Sequence, residues 1–195
     1  MAMALNPGPL FSAVRNALLW VSVFLIVATL SGWIHELGHF AAARSLGVQA
    51  TLSFDGGGHV DTIPEAPNLR ILLAGPTVTW LLALLSVLML WRAKPERISL
   101  LDVVLTSTAI WNSLFRLSMW LDGAHSDEGK IATLLGCPFL LVAIPATALS
   151  LFLAHVVLKS RVPSVWEPLA ILGLFVASAA ALRIGFAILA APLSS

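Results

Sequence analysis

Residues 16–44 read NALLWVSVFLIVATLSGWIHELGHFAAAR. From Asn16 to Ile34 there is no Asp, Glu, Lys or Arg, and the apolar run passes directly into His35-Glu36-Leu37-Gly38-His39. A run of about 20 apolar residues is long enough to cross a bilayer as a helix. Two histidines four apart lie one above the other on one face of such a helix, with Glu36 one step round. That is the arrangement required for two zinc ligands and a neighbouring proton acceptor. Ionisable groups at membrane depth cost on the order of a few kcal/mol each unless paired or metal-bound. Three of them in one apolar helix need a joint explanation.

The rest of the chain agrees with a membrane setting. Of 195 residues, 58% are hydrophobic and 11% charged, against about 25% charged in a soluble domain. The length predicts a single integral membrane domain over residues 1–195, with no sizeable soluble module. A formal net charge of +1 gives no reason to expect nucleic acid as a partner. The single Cys137 excludes an internal disulfide and a multi-cysteine metal site. Arg15 precedes an apolar run longer than a signal-peptide core, and no small-residue cleavage site follows. The first run is therefore expected to stay as a membrane helix.

Uncharged windows of bilayer length predict an all-α, polytopic membrane helix bundle of about five spans. Span one runs from about Phe11 to Leu46 and stops at Gly47. Span two covers Asn68 to Trp91, and span three about Ser99 to Leu121, the latter weakened by Asp102, Asn112 and Arg116. A short amphipathic helix is predicted from Asp127 to Leu135, broken at Gly136 and Pro138. Spans four (Pro138 to Leu158) and five (Trp166 to Leu189) complete the bundle.

Between spans one and two lies ATLSFDGGGHVD, Ala50 to Asp61. Its alternation and glycine run predict a small β-hairpin or re-entrant loop. A hairpin edge would let an extended peptide add as a further strand, with Gly57 and Gly58 as substrate-binding positions. Trp91, Trp120 and Trp166 fall near predicted span ends and suit an interfacial belt. Orientation is nearly balanced. Arg15, Arg92, Lys94, Arg97, Lys159 and Arg161 lie on one side, and Arg44, Arg70, Arg116 and Lys130 on the other.

A catalytic zinc takes three protein ligands and keeps an open position. His35 and His39 supply two. The metzincin continuation would need Gly at 42 and His at 45, where the chain has Ala42 and Ser45. The third ligand must come from elsewhere. Asp122 and Asp127, in LDGAHSDEGK from Leu121 to Lys130, form the densest acidic cluster outside the motif. Asp55, His59 and His125 are weaker candidates, and His155 reads as a buried, satisfied histidine.

Three elements in order resemble the site-2 protease group of intramembrane zinc metalloproteases, peptidase family M50. They are Ile34-His35-Glu36-Leu37-Gly38-His39 on a membrane helix, Leu73-Ala74-Gly75-Pro76 opening the next span, and Asn112 followed by a Ser-Asp segment. The likeness covers about Trp20 to Leu135, and spans four and five add nothing to it. It implies Zn2+ held by His35, His39 and an aspartate, Glu36 as general base, and Asn112 as a hydrogen-bonding group for extended substrate. Two registers compete for the aspartate. Asp127 fits Ser126-Asp127-x-Gly129-Lys130, and Asp122 fits Leu121-Asp122-Gly123. Asp127 is preferred, because Ser126 makes a natural helix N-cap and holds it in a first turn. Two departures stand out: Phe115 where the family usually carries Pro, and Glu128 where it usually carries Gly.

The resemblance implies hydrolysis of a peptide bond in or near a transmembrane segment of a protein substrate within the lipid bilayer. A multi-pass location in a bacterial cytoplasmic membrane is expected. Two other readings compete. One is a catalytically inactive pseudoprotease that binds partner helices; the other is a haem- or ion-binding bundle using His35, His39, His59, His125 and His155. Unwinding of the substrate would be required, because a helix hides its carbonyls in internal hydrogen bonds.

Overall fold

In chain order the computed structural model contains α1 (Pro9–Ser45), β1 (Gln49–Ser53), β2 (His59–Ile63), α2 (Leu69–Arg92), α3 (Leu100–Asp122), a 3-10 turn (Gly123–His125), α4 (Asp127–Leu135) and α5 (Phe139–Arg161). It describes residues 9–53, 59–63, 68–92 and 99–161. The predicted fifth span, Trp166 to Leu189, and the proposed substrate positions Gly57 and Gly58 lie outside those residues. The fold is the helix bundle with an inserted hairpin that the sequence predicts. β1 and β2 pair antiparallel, with Thr51 opposite Asp61 and Ser53 opposite His59.

Local rules account for the ends of the elements. α1 stops where Gly47 turns to a φ of 73°. There the Val48 amide donates to the Ala43 carbonyl and the Gly47 amide to that of Arg44, a Schellman stop that an L side chain would strain. α4 ends in the same way at Gly136, with Cys137 donating to Ala132. α3 begins with a capping box. The Asp102 amide donates to Ser99 Oγ, and Asp102 Oδ2 accepts from the Ser99 amide at 2.8 Å. Asp102 is thus a helix-start group and not a charge inside a span.

Three helices among the described residues, α1, α2 and α5, are long and apolar enough to cross a membrane. α3 is long enough at 23 residues but more polar, and its packing explains why. It contacts α1, α2 and α5, so its buried groups (Thr106, Ser107, Asn112, Ser113 and Arg116 among them) face other helices. Large apolar residues point outward instead, including Leu81, Leu84 and Leu88 on α2 and Leu141, Ile144 and Phe152 on α5. The core between α2, α3 and α5 is built around Ala83, Ala109, Leu90 and Val157. Small and polar residues inside with large apolar ones outside is the pattern of helices that pack within lipid.

α5, which lies outside the resembling region, is tied to it by hydrogen bonds. Ser150 on α5 accepts from the Trp80 indole at 3.0 Å and from Asn112 Nδ2 at 3.3 Å, while its carbonyl accepts from Ser113 at 2.7 Å. Arg116 differs from its expected place as a flanking charge. It is 1% exposed, inside the bundle, and so carries no weight in choosing an orientation. His155, expected to be buried, is exposed on α5, because Leu153, Ala154 and Val157 take the inward positions of that turn.

Candidate metal centre

The first half of the site is made by close approach of α1 and α2. A Cβ on Gly38 would sit 3.0 Å from the Ala74 carbonyl oxygen and 3.1 Å from Gly75 Cα. A Cβ on Gly75 would land on the His39 ring. The two glycines therefore let α1 and α2 approach closely and leave room for the His39 ring against α2. There His39 Nδ1 donates to the Ile71 carbonyl at 2.6 Å. With its proton on Nδ1, His39 presents the bare Nε2 lone pair inward, the usual way a second partner orients a metal-binding imidazole. His35 lies one turn earlier on the same face, 2% exposed.

The second half comes from α4. Ser126 caps that helix by accepting from the Gly129 amide at 3.1 Å, and its hydroxyl donates to the Gly123 carbonyl at 2.7 Å. Gly129 is pressed against the 3-10 turn, where a Cβ would strike Gly123 and Ala124 backbone atoms. This packing delivers Asp127 to the histidines. Its Oδ2 lies 2.8 Å from His35 Nε2 and 3.3 Å from His39 Nε2, and the two Nε2 atoms are 3.1 Å apart. Of the two aspartate registers, the structure brings in Asp127. Asp122 ends α3, outside the His35-His39-Asp127 group.

The donor set fits a divalent metal. Burial alone would raise the Asp127 carboxyl, but the two imidazoles beside it outweigh that and hold the group well below the usual carboxylate range. Asp127 is an anion in place. Three acceptor atoms converge on one point, and one proton on His35 Nε2 cannot bridge all three contacts. Ligands around tetrahedral zinc at about 2.0–2.1 Å lie roughly 3.3 Å from one another, close to the sides of this triangle. The Arg116 guanidinium is already paired with Glu128, so it does not neutralise the Asp127 carboxylate. A cation held by the donor atoms would compensate that buried carboxylate, which matters where uncompensated charge is costly to bury.

Glu36 is half-buried directly after His35, on the helix that carries both imidazoles. Asn112 is buried and bonded to Ser150, while its Oδ1 has no hydrogen-bond partner among the described residues. It lines a cavity of about 10 Å³ with Ser31, Thr79, Thr108 and Phe115, room for roughly one water molecule. Ser31 is one turn before His35 on the same helix face, so the cavity adjoins the donor triangle. His125 is exposed on the 3-10 turn, and the His59 side chain lies outside the described residues.

Sequence reasoning missed an ion pair. Arg116 Nη1 donates to Glu128 Oε1, both groups buried, and Nη2 donates to Thr79 Oγ1 at 3.3 Å. The guanidinium lies over Phe115 and Trp80, 5.1 and 5.6 Å from the ring centroids. Phe115 in turn meets the His35 ring edge-on at 5.2 Å. The signal was present in the sequence as two opposite charges, one inside a span and one beside the aspartate. Nothing local linked them.

Over 77 aligned positions the chain is 32% identical to a zinc metalloprotease of the archaeon Methanocaldococcus jannaschii. The match covers 37% of this chain and 22% of that protein, so the chain spans about a fifth of the relative's length. No family model and no solved structure matches the chain.

Proposed function

We propose that this protein is an intramembrane zinc metalloprotease that hydrolyses peptide bonds in or near transmembrane segments of other proteins. The observation that carries the reading is the convergence of His35, His39 and Asp127 from two distant helices onto one point. The partial likeness to a zinc metalloprotease supports it, as do the three helices of membrane-spanning length and composition. A bound zinc would polarise the scissile carbonyl and lower the pKa of bound water to about 7.

The chain's own groups divide the remaining work. Glu36 accepts the water proton and returns it to the leaving amine. His39, fixed by the Ile71 carbonyl, and Asp127, fixed by the α4 cap, hold their donor atoms without reorganisation. The cavity beside Asn112 has room for about one water molecule within the bundle. The β1–β2 hairpin packs on α1, and its edge receives the substrate as an added strand, which offsets part of the cost of unwinding it. Gly57 and Gly58 keep the substrate role assigned to them on sequence grounds.

Purified full-length protein in detergent, given a reporter transmembrane peptide, tests this reading. Wild type is expected to cleave, and a zinc chelator to stop it reversibly. Glu36→Gln should bind zinc normally yet cleave about 10²–10⁴-fold more slowly. Equal cleavage by both would remove Glu36 from the mechanism. Zinc uptake without cleavage by either would favour a helix-binding pseudoprotease.

A further inference from the structure

We propose that the buried Arg116–Glu128 pair is the device that positions Asp127 for the metal, with Phe115 extending its hold to His35. The inference rests on the metal reading above and concerns residues outside the donor group.

Asp127 stands in the first turn of α4, a helix of nine residues. Isolated helices below about 12–15 residues are marginal, so α4 cannot hold a ligand in place by its own stability. The Ser126 cap and the Gly129 contact tie its start to the 3-10 turn beside it. Glu128, the residue after Asp127, ties it across the bundle. Its carboxylate is 4% exposed and bonds to Arg116 of α3. The same guanidinium reaches Thr79 and Trp80 of α2 and covers Phe115, whose edge contact is the His35 ring. One planar cation thus connects both sources of the donor triangle.

A stabilising role alone accounts poorly for this arrangement. Arg116 Nε and Glu128 Oε2 are buried without hydrogen-bond partners among the described residues. A buried pair that is only partly satisfied contributes little net stability, and apolar residues of equal volume often do as well or better. What such a pair provides is one directional geometry, which the rigid fork of Arg supplies better than a point charge. The two departures from the resembled family, Phe115 and Glu128, then form one unit joined through Arg116.

The test uses the full chain in detergent, stripped of metal. Zinc affinity is measured by competition with a chromophoric chelator, and ligand geometry by the visible bands of bound Co2+. Wild type is compared with Glu128→Gln and with the double variant Arg116→Met/Glu128→Met, which removes both charges and leaves neither orphaned. Both variants are expected to keep wild-type helicity, to bind zinc about 10–100-fold more weakly, and to give weaker Co2+ bands. Zinc affinity within threefold of wild type in both variants would overturn the proposal and leave the metal reading intact. Loss of helical structure in both before metal is added would also overturn it, making the pair a fold element. If wild type takes up no zinc, the metal reading itself fails, and this inference with it.

Discussion

The two sides of the donor triangle are held by opposite means. Between α1 and α2 it is the lack of side chains that matters: Gly38 lets backbone meet backbone, and Gly75 leaves room for the His39 ring, whose Nδ1 donates to a main-chain carbonyl. Between α3 and α4 the link is made by the longest polar side chains in the core, Arg116 and Glu128. Backbone contacts cannot adjust without moving whole helices, whereas side-chain links change with a single rotamer. The histidine side is therefore the rigid reference, and the aspartate is fitted to it.

Removing the donors themselves gives the largest effects. Asp127→Ala and His39→Ala should each weaken zinc binding by more than about 100-fold, beyond the range for groups that only support a ligand. Asp122→Ala should keep wild-type metal content by elemental analysis. Equal loss in the Asp122 and Asp127 variants would break the assignment of the third donor.

Next comes the rigid side. The Cβ of Gly75→Ala would land on a ring pinned by Ile71, and zinc affinity should fall by about 10–100-fold. Wild-type affinity in that variant would show that α1 and α2 can part, and that this side is no stiffer than the other. A smaller effect is expected from Ser126→Ala, which removes the α4 cap at a cost of about 1 kcal/mol, visible as a lower midpoint of thermal unfolding. Gly32→Ala should do least. A Cβ there meets nothing within 4 Å, so zinc affinity should stay at the wild-type value, and helix propensity would favour the alanine by about 0.5–1 kcal/mol.

Much of the bundle was legible because its signals are local. The uncharged windows marked α1, α2 and α5, and Ser126 and Gly136 marked both ends of α4. The polar content of α3 weakened its prediction for a reason only packing reveals: a helix surrounded by other helices need not be apolar. His155 shows the converse error, since a histidine in a span was assumed to be inside.

By itself the sequence determined the helices, their stops, and two imidazoles one turn apart beside a carboxylate, because helical periodicity relates residues only a few positions away. The tertiary structure alone decided that Asp127 closes the triangle with His35, 92 positions earlier, and that Arg116 has a partner in Glu128. Such pairings depend on how α4 docks against the other helices. That docking involves packing of α4 on α5 and α2 and the burial of opposite charges, neither of which has a period in the sequence.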